Sequence, residues 1–119
     1  MSVPPEALAA EARLLAALNS GWPSQALKIA HEINRDYPQL PMGTVHMAQA
    51  LMDLGRGGEA HDALIEAEPR FRYPPAYRTL IHHTLAEMCL RLKRPKAEVN
   101  AWLGKVIDSW DAEKTAGLN

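Results

Sequence analysis

Gly21 and Gly55 stand 34 positions apart, and so do Ala26 and Ala60. In both places an apolar stretch with helical spacing runs into a glycine-containing turn, and a second apolar stretch begins around the alanine. A helix–turn–helix unit recurring at this interval cannot bury its apolar face alone and has to stack on its neighbours. The recurrence therefore confines the chain to packed helical hairpins. β-branched residues are scarce, and no run alternates with the two-residue period of a half-buried strand.

Six helices follow from the punctuation. Pro4–Pro5 opens the first, where proline suits the first turn, and Asn19-Ser20-Gly21 ends it. Pro23 or Ser24 opens the second, with Ala26, Leu27, Ile29, Ala30 and Ile33 as its apolar face and Pro38 and Pro41 beyond its end. The third follows Pro41, with Met47, Ala48, Leu51 and Leu54 at helical spacing, and Gly55-Arg56-Gly57-Gly58 turns the chain. Ala60, Ala63, Leu64 and Ala67 mark the fourth helix. A longer linker, Arg70–Pro75, leads to the fifth, which carries Leu80, Ile81, Leu85, Met88 and Leu92. Lys93–Lys96 turns again, and Val99, Trp102, Leu103, Val106, Ile107 and Trp110 mark the sixth. Residues 1–111 are expected to form one helical-repeat domain and 112–119 a frayed tail.

Over about residues 6–110 the chain resembles the tetratricopeptide repeat family. Leu14, Ala17, Ala26, Ala30 and Pro38 fit the pattern in the first unit, and Met47-Ala48, Leu51, Ala60 and Leu64 in the second. The family's Trp and Tyr are absent from every unit, and Arg72 stands where a second Pro38 equivalent belongs. In the third unit Ala97 takes the Ala60 role, after a turn read as one residue shorter. The resemblance implies an all-α, short right-handed α-solenoid of about three antiparallel hairpins. It also implies a concave face, lined by the first helix of each hairpin, that binds a polypeptide.

Projected on that register, the partner-binding groove is Leu15, Leu18, Met42, Val45, Gln49, Met52, His83 and Glu87, with Leu8, Glu11, His46, Leu80 and Leu90 beside them. This is an apolar set for a surface, and such surfaces on soluble proteins are usually covered. Flexible methionines suit adaptable recognition of Leu, Ile or Val anchors. A protein or peptide ligand fits this set. The other reading is that these residues pack against a terminal segment or another copy. Family members that clamp a peptide carboxylate use Lys, Asn and Arg; here Glu11, Leu15, His46, Leu80 and Thr84 stand at those places. The apolar character is closer to repeat chaperones of secretion-system subunits, so an adaptor or chaperone-like role is expected. The alternative is a self-assembling scaffold subunit. Trp102, Val106 and Trp110 recur every fourth residue on the last helix and form its candidate assembly face, or else close the core of the third hairpin.

Chemistry has little footing. No nucleophile elbow or phosphate loop is present, and Gly55–Gly58 follows a helix rather than a strand. The one cysteine, Cys89, precludes an intrachain disulfide and falls at an inward position. His83/Glu87 and Met42/His46 are each four residues apart, but no HExxH or cysteine cluster accompanies them. The expectation is a non-enzyme with no cofactor and no metal. Arg70, Arg72 and Arg78 among Phe71, Tyr73 and Tyr77 are the one place where charge and stacking would suit single-stranded nucleic acid; the plainer reading has the aromatics plugging a joint between hairpins, and no nucleic-acid partner is expected.

Apolar residues make up 47% and charged residues 23% of the 119, which excludes wholesale disorder. The N-terminus lacks a cationic leader before an apolar run, and no apolar stretch approaches the roughly 18 residues of a membrane span. A cytoplasmic protein without membrane partners is expected. The net charge of −1 conceals an asymmetry. Residues 1–69 carry four Lys/Arg against nine Asp/Glu, a net −5, and residues 70–119 carry nine against five, a net +4.

Overall fold

The computed structural model describes residues 3–70 and 75–113, and the side chains of 3–70 and 78–108. Among them are six α-helices: α1 Pro5–Asn19, α2 Pro23–Asp36, α3 Met42–Asp53, α4 Gly57–Ala67, α5 Pro75–Arg91 and α6 Lys96–Glu113. They form three successive hairpin-like pairs, an all-α architecture of the helical-repeat kind. Phe71, Arg72 and Tyr73 of the linker, the side chains of Tyr77 and Trp110, and tail residues 114–119 lie outside the described residues.

The repeat is legible in the backbone of the turns. Helix α1 ends with the Gly21 N–H donating to the Leu18 carbonyl at 3.1 Å and the Trp22 N–H to Ala17 at 2.8 Å. Gly21 has φ +77°. This pair of bonds around a left-handed residue is the Schellman ending of a helix, which satisfies carbonyls that the last turn leaves open. Helix α3 ends identically 34 positions on: Gly55 to Met52 at 3.0 Å, Arg56 to Leu51 at 2.8 Å, with φ +76° at Gly55. Helix α5 does so a third time, with Lys93 to Leu90 at 3.1 Å and Arg94 to Cys89 at 2.9 Å. Here the left-handed residue is Lys93, at φ 55°.

A side chain in that conformation is strained where glycine is not. Lys93→Gly is therefore expected to stabilise the chain by about 1 kcal/mol, read as a higher denaturant midpoint.

The third turn departs from the sequence expectation in one respect. Helices α2 and α4 begin two residues after their left-handed glycine, whereas α6 begins three after Lys93. The turn is thus one residue longer, not shorter. Ala97 is exposed, and Val99 is buried in the place that Ala26 and Ala60 hold in the other hairpins.

The chain divides into two compact units, residues 1–63 and 64–119, with the boundary inside α4. In the first, α1 packs on α2, and α3 packs on both. Ala7, Leu14 and Ala17 of α1 meet Ala26, Ile29, Ala30 and Ile33 of α2 in one core. Ala26 and Ala30 are fully buried; small residues there let the helices approach closely while Ile and Leu fill the space beside them. Gly43 sits at the α2–α3 contact against the side chains of Asn34 and Ile33. In the second unit α5 packs on α6, around Ile81, Leu85, Met88, Cys89 and Val99. Burial pushes the Cys89 thiol up from its ordinary pKa, with the Glu98 charge adding to the effect. This is the environment of a structural thiol rather than a nucleophile.

Candidate functional site

Helix α3 carries half of the groove residues predicted from sequence, and it is more enclosed than a one-sided helix. Met42, Gly43, Thr44, Val45, Ala48, Ala50 and Leu51 are all buried, Met42 and Ala50 in one core with α1 and α2. Val45 is completely enclosed and Met42 is 6% exposed. These two hold the α3 backbone in place and offer a ligand no surface. What remains accessible beside them is Leu15 of α1, exposed, with Leu18, Gln49 and Met52 half-buried. Leu8, one α1 position in the same stripe, is 51% exposed.

A polar bridge fixes this face. His46 Nε2 lies 2.9 Å from Glu11 Oε2 on α1, and His46 Nδ1 lies 3.0 Å from Gln49 Oε1 one turn along α3. The imidazolium donates to both oxygens. The neutral ring donates to Glu11 and accepts from the Gln49 amide turned over, so the bridge survives in either state. It ties α1 to α3 and pins Gln49, so the rim is preorganised by side chains already engaged. Surface concavities of this unit open between α1 and α2 and along α2. One of about 280 Å³ is lined by Ala16, Ala17, Trp22 and Ile29 among others, with Trp22 63% exposed.

In the second unit His83 and Glu87 are exposed on α5, in one stripe with Leu80 and Leu90, which are 40% and 65% exposed. Glu87 lies 4.0 Å from Arg91, a solvent-side contact of little energetic weight. Of the candidate assembly face, Trp102 and Val106 are half-buried, and Trp102 stacks on His82 of α5 with ring centroids 5.7 Å apart. The side chain of Trp110 is outside the described residues. Among the described side chains of α6, Leu103 and Ile107 are exposed large apolar residues.

The residue whose burial sequence reading did not foresee is His82. It is 1% exposed, accepts the stack of Trp102, and lies 3.2 Å from Glu68 Oε1. Lys105 sits 3.8 Å from the same carboxylate and 5.4 Å from the Trp102 ring centroid. The signal was available: His82 lies between Ile81 and Leu85 on the buried arc of α5, one position from the exposed His83. Among the described residues no buried side-chain nitrogen or oxygen lacks a hydrogen-bond partner. No described helix is long and apolar enough to cross a membrane. Compared with family models, curated proteins and solved structures, the chain matches none.

Proposed function

We propose that the chain is a non-catalytic protein-interaction module of tetratricopeptide-like hairpins, an adaptor or chaperone-like protein that holds a polypeptide segment against the α1–α3 face. The observation that carries this reading is the accessible apolar rim of Leu8, Leu15, Leu18 and Met52 set on a helix pair made rigid by the Glu11–His46–Gln49 bridge. Apolar anchors on the ligand would contact the leucines and Met52, and Gln49 would offer its amide to the ligand backbone. His83 and Glu87 give the α5 stripe a polar centre that suits the same kind of ligand. Enclosed Val45 and Met42 act through the backbone they support.

The test is capture from cells of the source organism, with wild type beside Leu15→Asp and Met52→Arg. Both substitutions fall on accessible positions and should leave the melting curve in place. A polypeptide retained by wild type and lost from both variants supports the reading. The same set retained by all three contradicts it.

A further inference from the structure

The charges of the first unit are sorted by side. Residues 1–63 hold four Lys or Arg, namely Arg13, Lys28, Arg35 and Arg56. None of them stands on the α1–α3 face. Arg13 is two positions from Glu11, about 200° round the helix, and lines the concavities between α1 and α2. Lys28 and Arg35 line the concavity along α2. Arg56 is turned to α4, where its guanidinium meets both carboxylate oxygens of Glu59 at 2.6 and 2.8 Å.

Two carboxylates remain on the face. Glu11 stands between Leu8 and Leu15 in the exposed stripe of α1. Its Oε2 takes the His46 contact at 2.9 Å, while Oε1 has no partner among the described residues and the side chain is 25% exposed. Asp53 continues the stripe of His46 and Gln49 on α3, directly after Met52. It is exposed and makes no ion pair among the described residues. Counted from its partner His46, Glu11 is about 10 Å along α3 from Asp53.

We infer that the segment held by the α1–α3 face is cationic as well as apolar: an amphipathic stretch with Leu, Ile or Val anchors and Lys or Arg about two helical turns apart. This rests on the reading of that face as a ligand site. An uncharged apolar segment would strip water from Glu11 and Asp53 and give nothing back. A segment carrying Asp or Glu would meet like charge, with no cation on the face to offset it. Lys or Arg beside the anchors answers both carboxylates, and their methylene stems extend the apolar contact with Leu15, Leu18 and Met52. Complementarity of this kind selects the partner and speeds encounter more than it raises affinity.

Fluorescence anisotropy with two dye-labelled synthetic peptides tests it, one built of Leu and Lys at helical spacing and one with every Lys replaced by Glu. Wild type is compared with Glu11→Gln, Asp53→Asn, Met52→Arg and, off the face on α4, Asp62→Asn. Glu11→Gln keeps an oxygen for His46, and Asp53 and Asp62 are exposed, so these variants should melt with wild type. The expected result is that wild type holds the Leu/Lys peptide, more weakly as salt is added, and does not hold the Leu/Glu peptide. Glu11→Gln and Asp53→Asn should each lower the affinity roughly threefold at low salt. Met52→Arg should abolish binding, and Asp62→Asn should leave it unchanged. Equal binding of the two peptides, lost in Met52→Arg, overturns the charge preference and leaves the ligand face standing. An equal loss in Asp62→Asn and Asp53→Asn also overturns it, since overall charge would then be the cause. Binding indifferent to Met52→Arg places the peptide elsewhere and overturns both readings. Binding of neither peptide overturns this inference, and the ligand face is then judged by capture from cells.

Discussion

Val45→Glu is expected to unfold the first unit rather than merely disarm a binding face. Val45 is completely enclosed, on a helix that packs against α1 and α2. A carboxylate placed there loses its hydration. It must either ionise in an apolar core or take up a proton, and it overfills the site in both cases. The cost is about 4 kcal/mol or more, a large part of the stability of a small domain. Val45→Ala leaves a modest void and should cost about 2 kcal/mol. Chemical denaturation followed by far-ultraviolet circular dichroism separates the two. Val45→Glu should lose helical signal before denaturant is added, while Val45→Ala should show an intact baseline and an earlier midpoint. A fully folded Val45→Glu with a wild-type midpoint would mean that α3 is not packed as described.

The second large effect belongs to the aromatic joint of the second unit. His82 is buried, touches Glu68, and stacks on Trp102. Trp102→Ala removes that stack, the cover over His82 and the ring beneath Lys105, at about 3 kcal/mol. His82→Ala should cost a similar amount, because it opens a cavity and takes away a partner of Glu68. If the two rings stabilise one another, the double variant should cost about 1 kcal/mol less than the sum of the single ones. Strict additivity in equilibrium unfolding would show that the rings are neighbours without coupling.

These two cases mark where the sequence was and was not legible. The hairpin period could be read directly, because Gly21 and Gly55 sit at left-handed positions that few other residues tolerate, and Ala26 and Ala60 sit where helices cross closely. The third turn was misread because Lys93 occupies the left-handed position, and lysine gives no signal for it. Ala97 then looked like the alanine of the repeat, while Val99 fills the place. For the candidate face, the α5 stripe of Leu80, His83, Glu87 and Leu90 emerged on the exposed side as its spacing suggested. Met42 and Val45 are buried instead; periodicity on one helix cannot reveal which of its sides the rest of the chain covers. The burial of His82 could not be read because histidine is equally at home on a surface, and its partners Glu68 and Trp102 lie far from it in the chain.

Photo-cross-linking from single positions tests the central claim most directly. A photoreactive side chain would be installed at position 15 or 52, on the accessible rim, or at 28, where Lys28 is exposed on α2 away from it. After irradiation in the source cells, the account predicts that positions 15 and 52 both yield an adduct with the same polypeptide other than this chain, and that position 28 does not. Adducts from all three positions alike, or adducts only between copies of this chain, would contradict a ligand-binding α1–α3 face.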